Sequence, residues 1–225
     1  MTILCIETST SCCSAAITID GVAVATKENL SGANHASELP IFVEQLLTEA
    51  TTNGWAIEAV ALSQGPGSYT GLRIGTSIAK GLCYGMNIPL IPLDTLQLLC
   101  AAVNENVTID ALLCPMLDAR RMEVYAEMFD TQLAPLSPVV AKVVEDTSFN
   151  EVLLWRKKLV IFGNGAEKCS GVLEWAEYIS VAPSARGLCA EAERKFKAGE
   201  TEDVAYFEPF YLKDFIVTAS KKKLF

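Results

Sequence analysis

Apolar residues recur along this chain with two different periods, and the switches between them predict its elements. Residues 2–7 and 14–19 are rich in Ile, Ala and Cys and read as a hairpin closed by a Ser/Thr-rich turn. The Asp20-Gly21 pair then predicts a third strand over 22–27. Leu39, Val43, Leu46, Leu47 and Ala50 fall at helical spacing and predict a helix from His35 or Ser37 to Thr51. Pro40 is tolerated only in a first turn, which points to Ser37 as the N-cap. A strand over 59–62, a glycine-rich turn, a helix to Tyr84 and a short strand over 88–91 follow. Asp94-x-x-Gln97 reads as a capping box that opens a third helix through Val103.

The second half restarts the pattern. Residues 111–117 are apolar, Asp118-Ala119-Arg120-Arg121 is a polar turn, and 122–129 alternates like a strand. The same strand, acidic turn and strand open the chain, which implies a weak internal duplication. A strand over 159–162 ends in Gly163-Asn164-Gly165, and 185–197 reads as a helix. A boundary near 107–110 gives two expected domains, 1–107 and 108–225.

Composition narrows the function classes. With 225 residues, 51% hydrophobic and 20% charged, the chain has ample material for a globular core. Its apolar stretches break before the roughly 18–20 residues of a membrane span, and a strand-like run with no basic region opens the chain. A soluble protein without membrane partner or secretory signal is expected. Eight cysteines contain no Cys-x-x-Cys pair, against a zinc ribbon or thioredoxin site. Cys5, Cys83, Cys100 and Cys114 sit in apolar runs and read as free, buried thiols of a reducing cytoplasm. The net charge of −9 argues against strong direct nucleic-acid binding, and Lys221-Lys222-Lys223 reads as a solvated tail.

The most informative stretch is 63–75, Ser-Gln-Gly-Pro-Gly-Ser-Tyr-Thr-Gly-Leu-Arg-Ile-Gly. A strand, glycine turn and helix in that order suggest a phosphate cradle. No Gly-Lys-Ser/Thr follows, and the glycines at 65, 67 and 71 are spaced one residue wider than the dinucleotide fingerprint. The glycines also have a second use. Gly71, Gly75 and Ala79 form one smooth stripe along the helix, and Ser77, Gly81 and Gly85 form another. One stripe packs on the chain's own sheet; the other can meet a partner's helix.

The paired strand–turn–strand units resemble the actin, hexokinase and Hsp70 superfamily, an α/β fold of two duplicated, ribonuclease H-like mixed-sheet lobes. In that fold the paired turns hold nucleotide phosphates. The resemblance places Glu7, Thr8 and Ser9 in the first turn, Asp118 in the second, and Gly163 and Gly165 near an adenosine. An ATP–Mg²⁺ cleft is one reading of these residues; a retained hairpin with no ligand, and a plain tight turn at Gly-Asn-Gly, is the other.

The resemblance then becomes more specific. Gly65-Pro-Gly-Ser-Tyr-Thr-Gly-Leu-Arg-Ile-Gly75, Ile3-Leu-Cys-Ile-Glu-Thr-Ser9, Met116-Leu-Asp-Ala-Arg-Arg-x-Glu-Val-Tyr125 and Pro209-Phe-Tyr-Leu-Lys213 together resemble the bacterial TsaB (YeaZ) family, long grouped with "glycoproteases". Lys213 stands where the family leads one to expect arginine. The resemblance implies a non-catalytic paralogue of TsaD, the subunit that transfers a threonylcarbamoyl group to adenine 37 of tRNA. It implies pairing with TsaD through first-lobe helices, here Leu39, Val43, Leu46 and Leu47 with Gly71, Leu72, Gly75, Ile78 and Ala79. It further implies contact with a TsaE-like ATPase, a homodimer when alone, and no cofactor beyond ATP or ADP at a subunit junction.

TsaD enzymes hold a metal through a His-x-x-x-His pair, and this chain has the single histidine His35, read here as a helix-start residue. One imidazole and no Gly-x-Ser-x-Gly or His-Glu-x-x-His also argue against a protease. The alternative is an ATP-dependent enzyme of the same superfamily acting on a small molecule.

Overall fold

The computed structural model describes residues 1–32, 34–103 and 107–213. The first sheet takes β1 (Thr2–Glu7), β2 (Cys13–Ile19), β3 (Val22–Asn29), β4 (Ala59–Gly65) and β5 (Leu90–Asp94). Its order is β3-β2-β1-β4-β5, antiparallel where hairpins connect the strands and parallel where helices do. The helices are α1 (His35–Asn53), α2 (Tyr69–Met86) and α3 (Thr95–Val103). The second sheet takes β6 (Leu112–Asp118), β7 (Glu123–Ala126), β8 (Val140–Val143), β9 (Leu159–Phe162) and β10 (Glu177–Ile179), with short helices α4 (Glu151–Leu154) and α5 (Ala166–Ser170). Read from its other edge, its order is β8-β7-β6-β9-β10. Both halves therefore share one topology, the duplicated mixed-sheet architecture that the resemblance implies.

Apolar packing explains the layers. Leu39, Val43, Leu46 and Ala50 of α1 join Leu4, Ile6 and Ile17 of the sheet and Ala79 and Cys83 of α2 in one core on the first sheet. On the opposite side, Ile3, Cys5, Ala59 and Ile91 pack with Ala185, Leu188, Cys189 and Ala192. Those four residues come from a 3-10 turn (Ala185–Leu188) and from α6 (Cys189–Ala198), which follow the second sheet in sequence yet pack on the first. Between the sheets, α3 lays Leu96, Leu99, Cys100 and Val103 against Leu113, Leu117, Phe129 and Phe162.

Local differences from the sequence reading have local causes. α1 begins at His35, the earlier of the two expected starts, so Asn34 and not Ser37 is its N-cap, and Pro40 lies inside it. Glu38 accounts for the earlier start: its carboxylate accepts the Asn34 N–H at 3.0 Å and the Asn29 side-chain N–H at 2.8 Å, securing the first turn without a capping hydroxyl. Asp94 supplies its half of the expected capping box, accepting the Leu96 and Gln97 N–H groups at 2.8 and 2.9 Å. The strand expected over 122–129 stops at Ala126, and 185–197 divides into the 3-10 turn and α6.

Beyond α6 the chain crosses back over both halves. Lys80 on α2 donates to the Ala205 and Phe207 carbonyls, each at 3.1 Å, and Phe207 enters the first core. The Phe210 N–H donates to the Gln64 carbonyl at 2.8 Å, and Lys213 pairs with Glu123 of β7. Residues 203–213 thus strap α2 to the second sheet. The Lys221-Lys222-Lys223 cluster lies outside the described residues. Among the described residues no helix is long and apolar enough to cross a membrane.

Candidate functional site

The turn between β1 and β2 is sealed by the chain's own backbone. Glu7 is 0% exposed, Thr8 and Ser9 are 1% and Thr10 is 4%. Over this turn lies the glycine segment at the start of α2. The Ser68 N–H donates to the Ser9 carbonyl at 2.6 Å, while the Ser68 hydroxyl caps α2 by accepting the Gly71 N–H at 3.3 Å. A Cβ at Gly71 would collide with the Thr8 carbonyl oxygen, and one at Gly67 with that of Ser9. Gly75 faces the Thr8 hydroxyl in the same way. The glycines are needed because two backbones touch there, with no room for a side chain.

The chemistry inside the turn disfavours phosphate. Glu7 Oε1 accepts the Ser9 N–H at 2.5 Å, while Oε2 has no hydrogen-bond partner among the described residues. Burial pushes the Glu7 carboxyl above its ordinary range; Ser9, Ser63 and, more weakly, His35 pull it part of the way back. A phosphate cradle presents unused N–H groups. Here the Ser9 amide already serves Glu7 and the Ser68 amide already serves Ser9.

The second turn repeats the construction with a more open carboxylate. The Gly165 N–H donates to the Met116 carbonyl at 2.9 Å, and a methyl group at Gly165 would sit 2.7 Å from the Leu117 carbonyl carbon. The Asp118 N–H donates to the Asn164 side-chain oxygen at 3.1 Å. Gly163-Asn164-Gly165 therefore braces the second turn as the 65–71 segment braces the first. The Asp118 side chain stays 44% exposed and pairs with Lys168, which also donates to the Glu123 carbonyl at 2.7 Å. Glu7 is thus enclosed, and Asp118 paired, each within its own half. Among the described residues no cluster of three or more His, Cys, Asp or Glu is arranged to hold a metal. His35 starts α1, with Nε2 2.9 Å from the Cys12 carbonyl oxygen.

Of the residues expected to face a partner, the structure puts most inside. Leu39, Val43, Leu46, Leu72 and Ala79 are buried in the chain's own core, and Gly71 and Gly75 lie against the first turn. Helical spacing finds the apolar face of each helix, and that face goes first to the sheet beneath it. Leu47 and Ile78 are half-buried and line an open groove of about 440 Å³ between α1 and α2, together with Val43 and Pro40. The outward stripe on α2 is the second one, where Ser77, Gly81 and Gly85 are exposed. Sequence reasoning overlooked Tyr84, 87% exposed between those two glycines, and Ile41 on α1, 50% exposed. A large ring flanked by glycines on a polar face was the available signal.

Comparison with known proteins agrees with this geometry. Residues 28–148 match the family described as TsaD, tRNA N6-adenosine threonylcarbamoyltransferase. A curated "tRNA threonylcarbamoyladenosine biosynthesis protein TsaB" from Haemophilus influenzae is 31% identical over 70% of this chain and 61% of its own length. Its counterpart from Escherichia coli is 39% identical over 56% of this chain and 53% of its own. The chain therefore spans between about half and three fifths of the curated relatives it matches. The solved structure "YeaZ from Pseudomonas aeruginosa" superposes with a TM-score of 0.75 at 25% identity, covering 94% of this chain and 99% of that one.

The two glycine stripes should respond oppositely to a methyl group. Gly71→Ala is expected to cost about 1–3 kcal/mol through overpacking against Thr8. Gly81→Ala, where a Cβ meets nothing within 4 Å, should gain up to about 1 kcal/mol of helix propensity. Urea unfolding of both variants checks this, and equal effects would contradict the assignment of the stripes. Glu7 supplies a pH test. Because its folded pKa is raised, the stabilisation from its neutral form is complete below the ordinary value of 4.5 and is lost as pH rises through the folded value. Glu7→Gln should therefore gain in melting temperature relative to the wild type between pH 4.5 and pH 8, measured by differential scanning calorimetry.

Proposed function

The chain belongs to the TsaD family, in its TsaB (YeaZ) branch, and from that premise we propose that it is a scaffold subunit supporting threonylcarbamoyl transfer to adenine 37 of tRNA in the cytoplasm. It binds a TsaD-type catalytic subunit and does not carry out the transfer itself. The observation that carries this reading is the sealed first turn. A buried carboxylate oxygen without a partner among the described residues, and Ser9 and Ser68 amides already spent on Glu7 and on the Ser9 carbonyl, stand where a nucleotide-using relative of this fold needs a phosphate grip. The face left open is helical, with the α1–α2 groove, the Ser77–Gly81–Gly85 stripe and Tyr84 side by side.

Tyr84 supports an anchoring role. Large exposed rings beside small residues let a partner helix approach closely and seat the ring, and such residues dominate interface energetics. In the absence of TsaD the same face pairs two copies of this chain, and a TsaE-like ATPase joins the assembled pair. An ATP-dependent enzyme working through Glu7 and Asp118 is disfavoured, since the first is inaccessible and the second is held by Lys168.

Co-purification with a TsaD subunit tests the proposal. Tyr84→Ala and Gly81→Leu should each weaken capture at least about tenfold, a typical hot-spot loss, while the melting temperature holds or rises. Retention of full affinity in both variants would place the interface elsewhere. Threonylcarbamoyl transfer by the chain without TsaD would overturn the non-catalytic assignment.

A further inference from the structure

Beside the exposed stripe of α2 lies a second groove, of about 540 Å³, between the first half of that helix and the strap. Tyr69, Arg73 and Lys80 line its helix wall; Glu208, Pro209 and Tyr211 line the opposite wall. Of its lining only Ser77 also belongs to the stripe proposed for the partner. Its size lies in the range of small-molecule sites.

The chemistry of the two walls is specific. Arg73 is held in place rather than free to swing: its Nη1 donates to the Tyr69 hydroxyl at 2.8 Å, and its guanidinium carbon sits 5.4 Å from the Tyr69 ring centre. Among the described residues the rest of its N–H fork is used by no carboxylate. Lys80 is fixed by the Ala205 and Phe207 carbonyls, leaving one of its three donors. In a chain with 27 acidic and 18 basic side chains, carboxylates are plentiful, yet neither cation forms a salt bridge among the described residues. Glu208 lines the same groove and also lacks a salt bridge there. Tyr211 packs on Tyr69 with ring centres 4.9 Å apart and remains 37% exposed.

We propose that this groove binds a ribonucleotide. Its phosphate sits between Arg73 and Lys80, whose two positive charges match a phosphate in charge and donor geometry. Glu208 accepts hydrogen bonds from the ribose hydroxyls, a use that explains a carboxylate opposite two cations without a salt bridge to either. The base stacks on Tyr211, which every base can do. A plain anion would use the cations but leave Glu208 opposing it; a ribonucleotide satisfies both walls. The same unit can come as a free nucleotide or as one residue of an RNA strand. The inference is independent of the TsaD assignment, since it concerns this chain alone.

Isothermal titration of the full chain, without Mg²⁺, with AMP, ADP, oligoadenylate RNA and inorganic phosphate tests this. Saturable binding of a nucleotide is expected, weakened about tenfold or more by Arg73→Gln, the typical loss of a charge-assisted hydrogen bond. The wild type should prefer AMP to its 2′,3′-dideoxy analogue, and Glu208→Gln should erase that preference. Tighter binding of oligoadenylate than of AMP identifies an RNA strand as the source, and equal binding identifies the free nucleotide; either supports the site. Absence of heat at millimolar ligand, phosphate binding as well as AMP, or loss of binding in Asp118→Asn but not in Arg73→Gln would overturn it. Arg73→Gln should still capture TsaD as the wild type does, so failure of this proposal and failure of the scaffold assignment register in different measurements.

Discussion

The contact on which the rest of the molecule depends is the one between two turns, 8–10 and 65–71. It is a backbone-to-backbone contact, made by the Ser68 amide on the Ser9 carbonyl and by glycines that admit nothing larger. Its position ties three elements at once. β1 and β2 end beneath it, β4 runs into it, and α2 departs from it. Because α2 leaves from a fixed point, its inward stripe is dedicated to the sheet and its outward stripe is necessarily presented to solvent. The surface proposed for the partner is thus a by-product of how the glycine turn is seated.

The same joint decides the chemistry of the first turn. A fold built around phosphate would keep the turn amides available and the local charge positive. This chain instead spends the Ser9 and Ser68 amides on internal bonds and buries a carboxylate whose second oxygen finds no partner among the described residues. Such an arrangement is unfavourable in isolation and persists because the surrounding packing over-determines it. The second half keeps the mechanical part of this design, with Gly165 against Leu117, but leaves Asp118 near the surface and neutralised by Lys168. Duplication conserved a way of bracing turns, and the two turns then diverged in charge and exposure.

How much of this was legible in the residues depends on the range of the interaction. The hairpin, the strand segments themselves, α2 and the Asp94 cap were visible because they rest on periodicity or on contacts a few residues apart. The doubled sheet order followed from repetition of the strand–turn–strand unit. What was hidden involves distant segments. Nothing local says that Gly71 meets Thr8, so the inward and outward stripes of α2 could not be told apart, and the buried residues Leu39, Leu46 and Leu72 were read as a partner face. Nor does the sequence around Arg73 and Lys80 reveal that Glu208 and Tyr211 stand across a groove from them, since the strap arrives from more than a hundred residues away. Ser37 was chosen as a cap on the strength of Pro40, and a long-range bond from Asn29 to Glu38 decided otherwise.

The placement of α6 has a consequence for how the chain is made. Ala185, Leu188, Cys189 and Ala192 close one side of the first sheet, and the Ala185 N–H donates to the Ser14 hydroxyl at 2.8 Å across the sequence. A ribosome delivers β1 to β5 early, but the residues that cover their rear face emerge only after the whole second sheet has been synthesised. Until then Ile3, Cys5, Ala59 and Ile91 lack their lid, and an apolar sheet face is open to water and to other nascent chains. The half that is translated first therefore waits for a segment that follows the second sheet before its rear face is covered.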